Sequence, residues 1–272
     1  MTLVTSVDLP ALARHYRRAL FEKFLVTQQG HPGGALSMVD IAVTLYHGGF
    51  VRRDADGKEL RDRVIVSKGH GAVALYPILV GLGILDRAEW DAWGEQPSCL
   101  RVFGNRAIPG MDATTGSLGH GLGYGTGMAL SAQRRGNNRR VFVIMSEGEL
   151  YEGSTWEALL LAAHLQLSNL VLVIDCNDLI ILGPPNACVT LEPLDARLRG
   201  FGLAPITCDG HDMDALSDAL RTCTTPQTGP PGCIIARTVK GKGLSLMEGQ
   251  PRWHYWNTIT DAEIAQCRQE LA

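Results

Sequence analysis

The stretch that most restricts what this chain can fold into is 141–183, VFVIMSEGELYEGSTWEALLLAAHLQLSNLVLVIDCNDLIILG. Two β-branched, nearly all-apolar runs, 141–145 and 170–175, bracket an amphipathic segment at 154–167. Runs of that length without polar alternation suit strands buried on both faces, and the segment between them completes a right-handed βαβ unit. Polar residues gather where each run ends: Ser146, Glu147 and Gly148 after the first, Asp175, Asn177 and Asp178 after the second. In an open α/β sheet, ligands bind outside the carboxyl ends of the strands. Carboxylate, amide and backbone carbonyl oxygens are the ligands Mg²⁺ accepts, and it usually shares its octahedron with substrate phosphates. These residues would therefore suit a hard cation carrying a diphosphate, and they equally fit a βαβ unit whose loop ends are simply polar.

The other segments either repeat this arrangement or narrow the function classes. A length of 272 residues suits one large domain over 1–272. The net charge of −3 with no basic block gives no reason to expect nucleic acid or an anionic membrane as partner. The first twenty residues lack the regions of a signal peptide, and no apolar run approaches a bilayer span. Seven cysteines without a C-x-x-C pair point to reduced thiols and a cytoplasmic location.

In chain order, 9–28 is predicted as a helix, with Leu12, Tyr16, Leu20, Phe21, Phe24 and Leu25 on one face. A glycine-dense turn, Gln29-Gly30-His31-Pro32-Gly33-Gly34, precedes a second helical pattern at 36–46. Glycines let a backbone approach a ligand closely and free a helix N-terminus to face an anion. A histidine between them suits a ligand site, with a surface turn as the alternative. A short strand at 64–67 ends in Lys68-Gly69-His70-Gly71, with Lys68 either supporting an anion or simply exposed. Helices are predicted at 75–85, 89–94, 122–133, 194–199 and 213–223, and strands at 204–208 and 233–238. Pro226 opens a loop, and Lys240-Gly241-Lys242-Gly243 could cradle phosphate but lacks P-loop spacing.

These motifs resemble those of the transketolase family. Ser146-Glu147-Gly148 and the later Asn177 are similar to its thiamine diphosphate motif, Gly-Asp-Gly and then Asn, with glutamate in place of aspartate. Gly30-His31-Pro32-Gly33, Lys68-Gly69-His70, Pro109-Gly110-Met111-Asp112, Thr115-Gly116-Ser117-Leu118-Gly119 and Trp253-His254 resemble further family segments, in the family's order. Two departures stand out. Counting back without gaps puts Val102 where the family carries a histidine for the donor's terminal hydroxyl, and His120 follows Gly119 where glutamine is usual. Tyr255 and Trp256 replace small residues, which would narrow the pocket.

The resemblance implies an α/β thiamine diphosphate-binding fold, a mostly parallel sheet covered by helices on both faces. It implies thiamine diphosphate and Mg²⁺ as cofactors, with Glu147, Asn177 and the Leu179 carbonyl on the metal. His70, Leu118, Gly119, Gly148, Glu149 and Asn177 would contact the cofactor. His31, His70 and His254 would face the carbonyl chemistry, and Glu152 and Glu157 match carboxylates that relay protons between paired sites. Asp209-Gly210-His211 matches a mainly structural segment. The pyrimidine-binding module is missing, so the chain looks like the first subunit of a split transketolase. Its partner would carry the pyrimidine-binding and C-terminal domains in an α2β2 heterotetramer acting on small sugar substrates. The expected reaction is two-carbon ketol transfer from a ketose or 2-oxo acid to an aldose. The alternatives are a pyruvate-decarboxylating subunit, suggested by Val102 and His120, and a non-catalytic regulatory one.

Overall fold

The structure, a computed structural model, describes residues 7–54, 59–95, 98–225 and 228–272. The reading of the extreme amino terminus (1–6) and the start of the loop expected from Pro226 lie outside those residues. Five parallel strands form one sheet in the order β1-β2-β3-β5-β4. They are β1 (Arg63–Val66), β2 (Val141–Ser146), β3 (Leu170–Cys176), β4 (Ile206–Asp209) and β5 (Gly232–Arg237). The unbroken apolar runs have a direct cause: every residue of β2 and β3 is buried, because alternate side chains enter two different cores. Phe142, Ile144, Val171, Val173 and Ile234 pack with the helices Leu9–Thr27, Val39–His47 and Met213–Thr224. Val143, Met145, Leu172, Ile174 and Ile235 pack with Gly121–Arg134, Gly153–His164 and Leu194–Gly200 on the opposite face.

The crossover from β3 to β4 runs over the second face, through Leu194–Gly200. Met213–Thr224 then returns over the first face and inserts β5 between β3 and β4. The chain leaving β5 stays with the first core, through Leu244, Met247 and Trp253. The segments leaving β3 and β5 therefore part to opposite sides, which opens a crevice at the carboxyl ends of these neighbours. Pairing of Ser146 with Asp175, and of Asp175 with Ala236, brings β2, β3 and β5 to that edge nearly level.

Some local expectations shift. The glycine-dense segment is not a turn ahead of a helix: Pro32–Ser37 is itself helical, with His31 in the N-cap position and proline at the start, where a missing N–H costs nothing. The chain bends at Met38 before Val39–His47. The helix expected at 75–85 is shorter, Leu75–Gly81, and a 3₁₀ turn, Gly69–Ala74, precedes it. The helix Asp261–Glu270 is an addition to the expected elements, although Thr260 and Glu263 form a capping box in the sequence pattern that announces one.

Candidate active site

A cleft of about 410 Å³ lies over the carboxyl ends of β2, β3 and β5. Its floor and walls include His31, His70, Ser146, Glu147, Gly148, Asn177, Leu179, Lys240 and His254. The loop with Gly116 and Leu118 closes one side. A side chain on Gly69 would put its Cβ 2.6 Å from the backbone nitrogen of Gly116, so glycine there lets the His70 turn press against that loop.

Glu147, Asn177 and Leu179 come together as the sequence suggests. Glu147 opens the 3₁₀ turn Glu147–Tyr151, which Ser146 caps by accepting the Glu149 N–H at 3.3 Å. Its side chain is buried and its Oε1 has no hydrogen-bond partner among the described residues. Burial, with the nearby carboxylates of Asp178 and Asp175, pushes Glu147 up to about 7. Among the described residues Asn177 Oδ1 accepts only a 3.3 Å bond from the Leu179 N–H, while its Nδ2 donates to Ser37 Oγ at 3.3 Å. The Leu179 carbonyl accepts from Lys240 Nζ at 2.9 Å. A carboxylate with one orphaned oxygen, a weakly used amide oxygen and a carbonyl already turned to a cation form a donor set that fits a hard divalent ion.

The three histidines form a compact triangle. Ring centroids lie 5.4 Å apart for His31 and His70, 5.5 Å for His31 and His254, and 5.8 Å for His70 and His254. Burial first, then Lys240, pushes His31 and His254 down to about 4. Burial and Lys68 hold His70 well below the usual histidine range. All three are therefore neutral near pH 7. Lys240, buried and close to Lys68, is itself pushed down to about 8. In the sequence Lys240 reads only as part of a possible phosphate cradle; in the fold it touches both the metal candidates and His254, at 3.0 Å from Nδ1.

Several expected residues act elsewhere. Lys68 is neither exposed nor open to an anion: it is fully buried and ion-paired with Asp175, and donates to Gly34 O at 2.7 Å. Asp175 also accepts from Ser37 Oγ at 2.6 Å and from Thr238. Burial works to raise its carboxyl, but Lys68 and these hydroxyls outweigh that and hold it low. Asp175 thus lies under the cleft and not at a polar loop end. Glu149 is fully buried behind the cleft, where one oxygen accepts from Ser67 and from the Gly119 N–H at 2.8 Å. Gly119 does not line the cleft; at φ +85° it crosses so close to Ser154 and Glu152 that a Cβ would sit 2.5 Å from Ser154 Oγ. Leu118, Gly148 and Glu152 do line it, and Glu157 lies outside it.

The departures near residue 102 also resolve. Phe103, not Val102, lines the cleft, with its ring 5.6 Å from that of His31. The ungapped count falls one residue short of the side chain that faces inward. Tyr255 lines the cleft too, its ring 4.8 Å from both His31 and His254, whereas Trp256 stacks on Phe24 at 5.9 Å in the core. His120 is exposed and bonds the Leu118 carbonyl at 3.1 Å, so it does not reach the cleft. His211 bridges Asp40, at 2.6 Å, and the Val239 N–H, at 2.8 Å, in keeping with a structural segment.

Comparison with known proteins agrees with this geometry. The family described as transketolase, thiamine diphosphate binding domain, matches residues 13–272. An apulose-4-phosphate transketolase subunit from Actinobacillus succinogenes is 37% identical over 83% of this chain and 82% of its own. 6-Deoxy-6-sulfo-D-fructose transketolase subunit SqwG from Clostridium sp. is 34% identical over 98% of each chain. The solved transketolase from Pichia stipitis superposes with a TM-score of 0.85 at 26% identity, covering 98% of this chain and 41% of that one. The chain thus spans less than half of that longer enzyme and most of each of the two subunits. With that family model matched over residues 13–272 and two transketolase subunits alike over most of their length, this chain belongs to the transketolase family, as a thiamine diphosphate-binding domain.

Proposed function

We propose that this chain is the diphosphate-binding subunit of a transketolase-like enzyme that moves a two-carbon ketol unit from a ketose or 2-oxo acid to an aldose. The observation that carries the reading is Glu147, buried with an unpartnered oxygen beside Asn177 and Leu179. Those three would hold Mg²⁺, and Gly148, Leu118 and His70 would lie along thiamine diphosphate. When bound, that cofactor supplies the nucleophile and electron sink for breaking and making a carbon–carbon bond. The chain's own residues bind, orient and shield. Lys240 offsets diphosphate charge, and neutral His31 and His254 offer hydrogen bonds to substrate hydroxyl and carbonyl oxygens. Phe103 and Tyr255 narrow the entrance and exclude water.

A partner subunit with the pyrimidine-binding and C-terminal domains would complete the site, most simply as an α2β2 heterotetramer. Two features support this. The transketolases named as subunits match over most of their length. The outer faces of Gly121–Arg134 and Gly153–His164 also expose Tyr124, Leu160 and Leu161, apolar surface of the kind that seeks a partner. Glu152 and Glu157 lie at the start of that second helix, where a proton relay between paired sites could run. The seven cysteines are all free, and no described helix is long and apolar enough to cross a membrane, which together support a reducing, cytoplasmic setting.

The test is thiamine diphosphate binding by the reconstituted complex, with and without Mg²⁺. Binding should require the ion, and Asn177→Ala should weaken it by about tenfold or more, because a lost ligand leaves the diphosphate poorly compensated. Equal binding in its absence would sink the assignment.

A further inference from the structure

The turn after β5 carries Lys240 into the cleft, where its ammonium sits between two acceptors. It donates to the Leu179 carbonyl at 2.9 Å and meets His254 Nδ1 at 3.0 Å. An ammonium has donors and no lone pair. Nδ1 of His254 must therefore be the bare, accepting nitrogen, and the single proton of the neutral ring belongs on Nε2. No hydrogen bond among the described residues engages Nε2, and the ring lines the cleft. His31 stands edge-on to it at 5.5 Å and Tyr255 at 4.8 Å, which hold the ring plane.

We infer that Lys240 is a positioning residue that fixes His254 as its Nε2–H tautomer, so that His254 presents a hydrogen-bond donor, not a base, to an oxygen of the bound substrate. The inference rests on the proposed reading that substrate enters this cleft. Burial and Lys240 keep the imidazole neutral, at about 4, so the assignment concerns where one proton sits and not whether the ring is charged. A neutral donor suits an oxygen that gains charge during carbon–carbon bond cleavage: it stabilises that charge without surrendering its proton in the ground state. The other two histidines have no such tether among the described residues, and His31 Nδ1 is buried without a partner.

The experiment is ¹⁵N-histidine NMR of the full chain, free and with its partner subunit, at about pH 6.5, where an ordinary histidine is half-charged and a depressed one is neutral. His254→Gln assigns the signal. The native protein should show Nδ1 unprotonated and Nε2 protonated. Lys240→Arg, which keeps a donor, should preserve that pattern; Lys240→Met should give a mixture; Lys240→Glu, which offers only an acceptor, should move the proton to Nδ1. In the reconstituted enzyme Lys240→Met should lower kcat by about tenfold or more, with most of it restored by arginine. A native Nδ1–H tautomer overturns the inference. So does an unchanged tautomer population in the methionine variant, which decides the matter even where the glutamate variant does not fold. Full turnover by His254→Gln would instead defeat the functional reading and leave the tautomer assignment standing.

Discussion

Replacing Glu147 by glutamine should stabilise the metal-free protein while destroying the proposed metal site. The carboxyl is buried, one oxygen lacks a partner, and it is pushed from the usual 4.5 to about 7. A raised carboxyl means the folded state binds a proton that the unfolded state has already released. The favourable contribution of the protonated form is therefore complete below the unfolded value and is lost as pH rises through about 7. The interval between 4.5 and about 7 corresponds to about 3 kcal/mol, and relaxation around a shallow cleft brings the expected loss to about 1–3 kcal/mol. Glutamine keeps the shape, carries no charge and escapes this loss. In thermal unfolding with chelator present, Glu147→Gln and the native chain should match near pH 4, below the unfolded value, and diverge above it. The variant should melt about 4–8 °C higher at pH 8 for a difference of about 2 kcal/mol. Added Mg²⁺ with thiamine diphosphate should raise the native melting temperature and leave the variant unmoved. Below pH 7 the native affinity for the ion should fall about tenfold per pH unit, because the proton and the metal compete for one carboxylate. A glutamine variant less stable than native at pH 8 without metal, or a native curve that stays parallel to it from pH 5 to 8, would refute the reasoning.

Other consequences can be checked on the same material. Lys68→Met should cost about 3–5 kcal/mol, measured by denaturant unfolding, because it leaves Asp175 charged and unpaired in the core; Lys68→Met with Asp175→Leu should recover much of that. The isolated chain should show no turnover with any donor, since the proposed partner supplies the missing half of the site; a spectrophotometric transfer assay with and without that partner decides it. In a competition between hydroxypyruvate and pyruvate, Val102→His should change nothing. Phe103→His should shift preference toward the hydroxylated donor by about tenfold, because a buried hydroxyl then finds a partner.

Much of the fold is legible in the sequence because its causes are local. Strands buried on both faces are apolar almost throughout, with Ser146 and Asp175 only at the carboxyl ends, so β2 and β3 announce themselves. Glycine–histidine pairs at strand ends mark loops that press backbone against backbone, as Gly69 does against Gly116. What stays hidden depends on distant partners. Lys68 looks like a surface lysine until Asp175, 107 residues away, is brought beneath it. Lys240 sits in a lysine–glycine run whose geometry gives no hint of Leu179, 61 residues earlier. Phe103 escapes notice for a narrower reason: an irregular loop has no period from which to tell which of two neighbouring side chains turns inward.

Those two lysines explain how the cleft is prepared for its ligand. Lys68 and Asp175 cancel each other in full burial, so the floor beneath the histidines is nearly neutral. Above it, Lys240 and Glu147 face the same small volume with opposite charge, and neither has an ion-pair partner of its own among the described residues. Burial opposes both charges, and the nearby carboxylates of Asp175 and Glu147 only partly offset the effect of burial and Lys68 on Lys240. A diphosphate entering alone would meet one cation and one carboxylate, and the carboxylate would repel it. A divalent ion entering alone would compete with Lys240 for the Leu179 carbonyl. Arriving together, the ion would be held by Glu147 and the carbonyl, Lys240, still against His254 Nδ1, would offset the diphosphate, and the charge of the buried volume would change little. The arrangement therefore favours coupled binding, in which each component raises the affinity for the other by the same factor.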